Sequence, residues 1–154
     1  MDISEKLTLE KIKQEFSLIN SFYFSEVHYS TDGRFFDLYF KTEESVISNK
    51  QIETYNKLIE NLNQYLIKIN DFIRSTYTKS ELKKAEELNI IKLNIHVIEI
   101  SNNNNSDLDA VLVCGKQYKH FRLFKRDIEI RIEIKNGQIM TIERKTDSTR
   151  KNGS

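Results

Sequence analysis

The sequence predicts a single α+β domain over residues 1–144, built on an antiparallel β-sheet of about five to seven strands. One long amphipathic helix (about 49–77) is expected to pack on one face of that sheet. Three observations carry this expectation. A sustained 3-4 apolar repeat fills the middle of the chain, β-branched and alternating segments stand before and after it, and no repeating strand-helix-strand units occur. At 154 residues with 38% hydrophobic side chains, the chain is long enough to bury about 70% of its unfolded surface, so a disulfide or metal staple is not required.

Taken in order, residues 5–16 place Leu7, Leu9, Ile12 and Phe16 among charges, which reads as a short amphipathic helix. Aromatic-rich runs follow on either side of Ser30-Thr31-Asp32-Gly33, and the Asp-Gly pair predicts a hairpin with strands near 24–30 and 34–41. Ser48-Asn49-Lys50-Gln51 is a capping-box pattern, in which Gln51 can reach back to the cap backbone. Beyond it Ile52, Tyr55, Ile59, Leu62, Leu66, Ile69 and Ile73 repeat at helical spacing, and Leu58, Tyr65 and Phe72 add a third row. A stripe that broad fits burial against a sheet, with a dimeric coiled coil as the rival reading. Lys79 to Asn89 reads as a second short helix or a helical tail.

Strands dominate the remainder. Ile90 to Ile100 is β-branched-rich, and its alternation slips at Val97-Ile98, implying either a bulge or two covered faces. Residues 101–106 form a polar loop, Leu108 to Cys114 is a strand, and Tyr118 to Phe124 is a possible further one. Ile128, Ile130, Ile132 and Ile134 alternate with charged residues, the pattern of a strand with one buried and one wet face. Asn136-Gly137 then turns the chain into Gln138 to Arg144. A three-residue turn pairing Ile132 with Met140 and Ile130 with Ile142 keeps apolar side chains together, so that register is expected. The basic tail, 145–154, is expected to be disordered.

Composition narrows the function classes. Proline and tryptophan are absent and there are only four glycines, which excludes collagen-like and proline-rich chains. Isoleucine, asparagine and lysine supply 51 residues, a bias toward AT-rich codons that speaks of the genome rather than of function. The 24 basic and 23 acidic side chains nearly cancel, so no whole-molecule field steers nucleic acid or an anionic membrane. A single cysteine permits no internal disulfide. The first residues lack a basic region followed by an apolar run, and no stretch approaches the roughly 18 apolar residues of a membrane span. A cytoplasmic protein with no membrane partner, monomeric or weakly dimeric, is expected.

Few residues carry recognisable chemistry. His28, His96 and His120 are scattered over presumed strands without metal-ligand spacing, and no metal or cofactor is expected. Cys114, within Ala110-Val111-Leu112-Val113-Cys114, reads as a small buried hydrophobe. Gly115 has no companion glycines for a phosphate loop, and no nucleophile elbow is present. The carboxylate pairs Glu43-Glu44, Glu86-Glu87 and Asp107/Asp109 read as solvated surface.

One segment stands apart. Lys116 to Arg126 holds five basic residues and three aromatics with no acid, including Lys116, Tyr118, Lys119, His120, Arg122 and Arg126. Such a mixture suits an acidic protein partner, with Tyr118, Lys119 and Arg122 as anchors. It also suits single-stranded nucleic acid, whose phosphates and bases it can grip together. The plainest reading is a strand that sends Phe121 and Leu123 to the core while lysines guard its edge.

Ile47-Ser48 followed by Gln51, Tyr55, Asn61, Leu66, Ile69, Ile73 and Tyr77 resembles a pattern in small bacterial domains. In those domains a hairpin precedes a helix opening Ile-Ser-x-x-Gln, and a strand block ending near Asn-Gly follows. The resemblance covers about 24 to 143, with Phe121 to Asp127 where some relatives carry a tryptophan-containing acidic segment. Such domains are often encoded among polymorphic-toxin immunity genes, so the resemblance implies an inhibitor that binds a cognate toxin, and no catalytic residue carries over from it. The expected function is therefore a non-catalytic protein-binding domain. A nucleic-acid-binding module and an enzyme whose site is assembled from distant residues are the alternatives.

Overall fold

Ser48 starts a helix in the way its capping-box pattern predicts. In the computed structural model, which describes residues 6–29, 34–80, 82–83, 95–102, 107–120 and 124–145, helix α2 runs Asn49–Glu60. Ser48 Oγ accepts from the Gln51 backbone N–H at 3.2 Å, and Gln51 Oε1 accepts from the Ser48 N–H at 3.0 Å. Gln51 is only 1% exposed. Its Nε2 donates to the carbonyls of Lys41 at 2.6 Å and Ser101 at 3.2 Å. A capping side chain thus also ties the helix start to the ends of strands β3 (Arg34–Lys41) and β4 (Ile95–Ile100).

The expected single helix over 49–77 is two helices. The second, α3, runs Leu62–Thr76, and the junction is Asn61 at φ −98° and ψ 4°. Asn61 Nδ2 donates to the Lys57 carbonyl at 2.8 Å, a local side-chain bond of the kind that competes with the helical ladder and bends it. The apolar stripe survives the break. Tyr55, Leu58, Leu62, Tyr65, Ile69 and Ile73 are buried, while Ile59, Leu66 and Phe72 are half-buried against the same core. Leu58 and Tyr65, from the third row, thus lie deeper than Ile59 and Leu66 from the main repeat.

The remaining strands are β1 (Ser17–Ile19), β2 (Phe22–Tyr29), β5 (Ala110–His120), β6 (Phe124–Lys135) and β7 (Gln138–Lys145). Their order in the sheet is their order in the chain. Every neighbouring pair is antiparallel except β3 and β4, which run parallel with Phe40 opposite Ile100. The sheet is therefore mostly antiparallel but mixed. A tight turn can only reverse a strand, whereas the connection through α2 and α3 is long enough to return the chain to the same end.

The short helix α1, Leu9–Glu15, begins at Thr8, whose Oγ1 accepts from Lys11 N. It is narrower than the expected 5–16. Asn56 of α2 holds its approach by two bonds, accepting from Leu7 N at 3.0 Å and donating to Leu7 O at 3.2 Å. Phe16 meets Phe40 edge-on at 6.0 Å. Helices α1, α2 and α3 share one core with Phe36, Leu38, Phe40, Ile98, Ile100, Leu112, Cys114, Ile130, Ile132 and Ile134. Among the described residues no element covers the opposite face of the sheet, and no helix is long and apolar enough to cross a membrane.

Several strand details differ from expectation. Asn136 and Gly137 both have positive φ, 51° and 70°, and form a two-residue turn with Lys135 opposite Gln138. Met140 is then the extra residue of a bulge, so that Ile134 faces Ile139 and Ile132 faces Ile142. The expected pairings of Ile132 with Met140 and of Ile130 with Ile142 are both wrong: Ile130 faces Arg144, and a bulge, not a longer turn, sets Ile132 and Ile134 opposite isoleucines. The slip in β4 lies between Ile95 and Val97, just before the expected place. The predicted strand Tyr118–Phe124 is instead a reversal, with Tyr118 opposite Arg126 and His120 opposite Phe124. Strand β1 was not expected at all. Lys145, assigned to the tail, belongs to β7 and pairs with Glu129. Of the expected helix at 79–89, residues 79, 80, 82 and 83 are helical, and Leu82 N donates to Thr78 O. Its remainder, the tail beyond 145 and most of the 101–106 loop lie outside the described residues.

Candidate functional site

The basic segment occupies the far end of a two-stranded ribbon. Strand β5 pairs with β4 only as far as Cys114, and β6 pairs with β7 only from Glu129 onward. From Lys116 to His120 and from Phe124 to Ile128 the two strands pair with each other and with no other described strand. Lys116, Tyr118 and His120 hold alternate positions of β5, and Arg126 stands opposite Tyr118. In the same backbone register Lys116 stands opposite Ile128 and Lys119 opposite Lys125. Arg122, with the rest of 121–123, lies outside the described residues. The expected cluster is a hairpin end, not one extended edge strand.

A second feature was not anticipated. A cleft of about 350 Å³ opens between α2 and the β6–β7 turn, lined by Lys50, Glu53, Lys57, Asn61, Tyr65 and Asp109, with Leu58 and Ile134 at its apolar part. Its walls are tied together. Tyr65 Oη donates to Gly137 O at 2.8 Å, and the Asn136 N–H donates to Asp109 Oδ2. Asp109 N donates in turn to Ile134 O at 2.8 Å. Burial first, and then the charge of Asp109, push the Tyr65 phenol above its ordinary value. Asp109, expected to be solvated surface, is half-buried and staples the turn. Its partners are distant in sequence, so spacing alone offered no signal for them.

Cys114 is fully buried, and burial pushes its thiol up to about 12. A thiol so protonated is a poor nucleophile at neutral pH. His28, His96 and His120 lie in three different strands, and no group of three metal-ligating residues occurs among the described residues. Glu43 and Glu44 sit in an exposed turn. No known protein family, curated protein or solved structure matches this chain.

Proposed function

We propose that the protein is a non-catalytic cytoplasmic binding domain that occludes an acidic protein partner, as an immunity protein occludes its cognate toxin. The observation that supports this reading is the free end of the β5–β6 ribbon, where basic and aromatic positions collect on strands that pair with no other described strand. Lys119 opposite Lys125 adds to it. Like charges directly across a ladder are unfavourable, and a partner's carboxylates relieve them. Tyr118 and Lys119 are the anchors, with Arg122 beside them in sequence. The test is co-expression with toxins encoded in the same gene neighbourhood. Rescue of growth and co-purification, both lost in a Lys119→Glu, Arg126→Glu variant, are expected; failure to rescue or co-purify with any of them removes the reading.

A nucleic-acid-binding module is the second reading, favoured by the shape of the same ribbon, since a two-stranded β-ribbon is one of the elements that fits a major groove. It requires affinity that falls steeply with salt, with a slope of about −0.7 to −0.9 per neutralised phosphate. Binding that is flat across salt removes it.

A further inference from the structure

The face of the sheet that no described element covers carries a second, chemically opposite surface. Cross-strand partners trace one row across it: Phe24, Tyr39, Glu99, Val111, Glu133 and Thr141, of which Val111 is itself buried at the centre of the sheet. The next row holds Asp37, Val97, Val113, Arg131 and Glu143. On the β1 side the apolar surface continues through Phe22 to Ile19, which is 50% exposed. The aromatics form one cluster, with Phe24 stacked on Tyr39 at 4.9 Å and Phe22 edge-on to it at 5.9 Å. From β1 to β5 this stripe spans four strand spacings, about 19 Å.

Two carboxylates in the same row differ in their surroundings. Glu133 is satisfied, its Oε1 facing Arg131 Nε at 3.2 Å and its Oε2 accepting from Thr141 Oγ1 at 3.0 Å. Glu99 stands half-buried between Tyr39 and Val111, and its carboxylate has no hydrogen bond or ion pair with any described residue. Asp37, one row away, is engaged by Tyr39, whose phenol is raised by burial, by the charge of Asp37 and by the hydrogen bond between them.

Any molecule that covers the apolar stripe must also cover Glu99. Burying a carboxylate without a counter-charge is strongly unfavourable. The occupant therefore has to bring a cation to Glu99 while offering apolar groups to Phe24, Val97 and Val113. Arginine meets both demands, because its planar fork pairs with a carboxylate and its face stacks on an aromatic ring. A phosphate backbone is repelled by the same carboxylates, and a small cation is too narrow for the stripe. We propose that this face docks a partner-protein segment that presents an arginine among apolar side chains, with Glu99 as its acceptor. The proposal is independent of the reading of the β5–β6 ribbon.

The experiment is an amide NMR titration of the full chain with a blocked alternating Arg-Leu peptide, its Glu-Leu counterpart, and spermine. Saturable shifts at Tyr39, Glu99 and Val111 are expected with the Arg-Leu peptide alone. Glu99→Gln should weaken binding roughly tenfold, the size of effect that losing one charge-assisted contact produces. Glu133→Gln, already paired within the chain, should leave it unchanged, as should Lys119→Glu on the ribbon. Equal binding by wild type and Glu99→Gln overturns the proposal. So does binding of the Glu-Leu peptide, reproduction of the shifts by spermine, or the absence of any saturable shift.

Discussion

The two faces of the sheet are made by the same strands and obey opposite rules. On the helix-covered face nearly every position is aliphatic or aromatic and buried: Leu38, Phe40, Ile98, Ile100, Leu112, Ile130 and Ile132. On the other face aromatic, valine and carboxylate residues share rows, and most remain partly exposed. The difference teaches what each side chain is for. A covered position is judged by volume and by loss of water, whereas an uncovered one is judged by what it can offer to another molecule.

The largest test of that contrast is truncation. Leu112→Ala and Ile132→Ala, both fully buried on the covered face, should each lower stability by about 3 kcal/mol through lost burial and an unfilled cavity. Val113→Ala, half-buried on the other face of β5, should cost well under half of that. Urea unfolding of the three variants makes the comparison, and similar losses from Val113 and Leu112 would mean that both faces are core.

Polar groups inside the covered face come next. Gln51→Ala strands the carbonyls of Lys41 and Ser101 and takes from the Ser48 N–H its acceptor in the capping box of α2, so a loss of about 2 kcal/mol is expected. Tyr55 differs in sign. It is 1% exposed and its hydroxyl lacks a hydrogen-bond partner among the described residues, and burial raises its phenol far above the ordinary value. Tyr55→Phe removes a buried donor that gains nothing, so stability should rise by about 1 kcal/mol, roughly 2–4 °C in Tm. A loss on that substitution would place a bridging water there.

Gly137→Ala is the fourth test. Nothing but Tyr65 Oη, at 4.0 Å, lies near an added Cβ, yet φ is +70°. The expected loss of about 1 kcal/mol is therefore backbone strain alone. The smallest effect belongs to Glu99→Gln, which should change thermal stability by less than about 0.5 kcal/mol while still altering docking. A stability change larger than that of Gly137→Ala would make Glu99 structural.

Much of this was legible in the chain. The capping box at Ser48 and Gln51 and the alternation of Ile130, Ile132 and Ile134 are local patterns that formed where they were read, and the chain turns at Asn136-Gly137 as expected, though in two residues. Asn61 shows why the helix was read too long. The apolar repeat passes through it without interruption, but its side chain bonds the Lys57 carbonyl, a geometric choice the repeat does not encode. Of the binding candidates, the basic segment was visible as composition, while its arrangement as a ribbon end was not. Phe24, Tyr39 and Glu99 were ordinary strand residues until three strands, two of them far apart in the chain, were placed side by side.

The sequence by itself determined the α+β class and the apolar stripes of the α2–α3 segment and of β6, because those depend on periods of two and of three to four residues. Only the tertiary structure decided that β3 and β4 run parallel, that Met140 bulges, and that all the described helices pack on one face of the sheet. These depend on contacts between residues distant in the chain, where burying the isoleucines of β6 against β7 outweighs the regularity of any one strand.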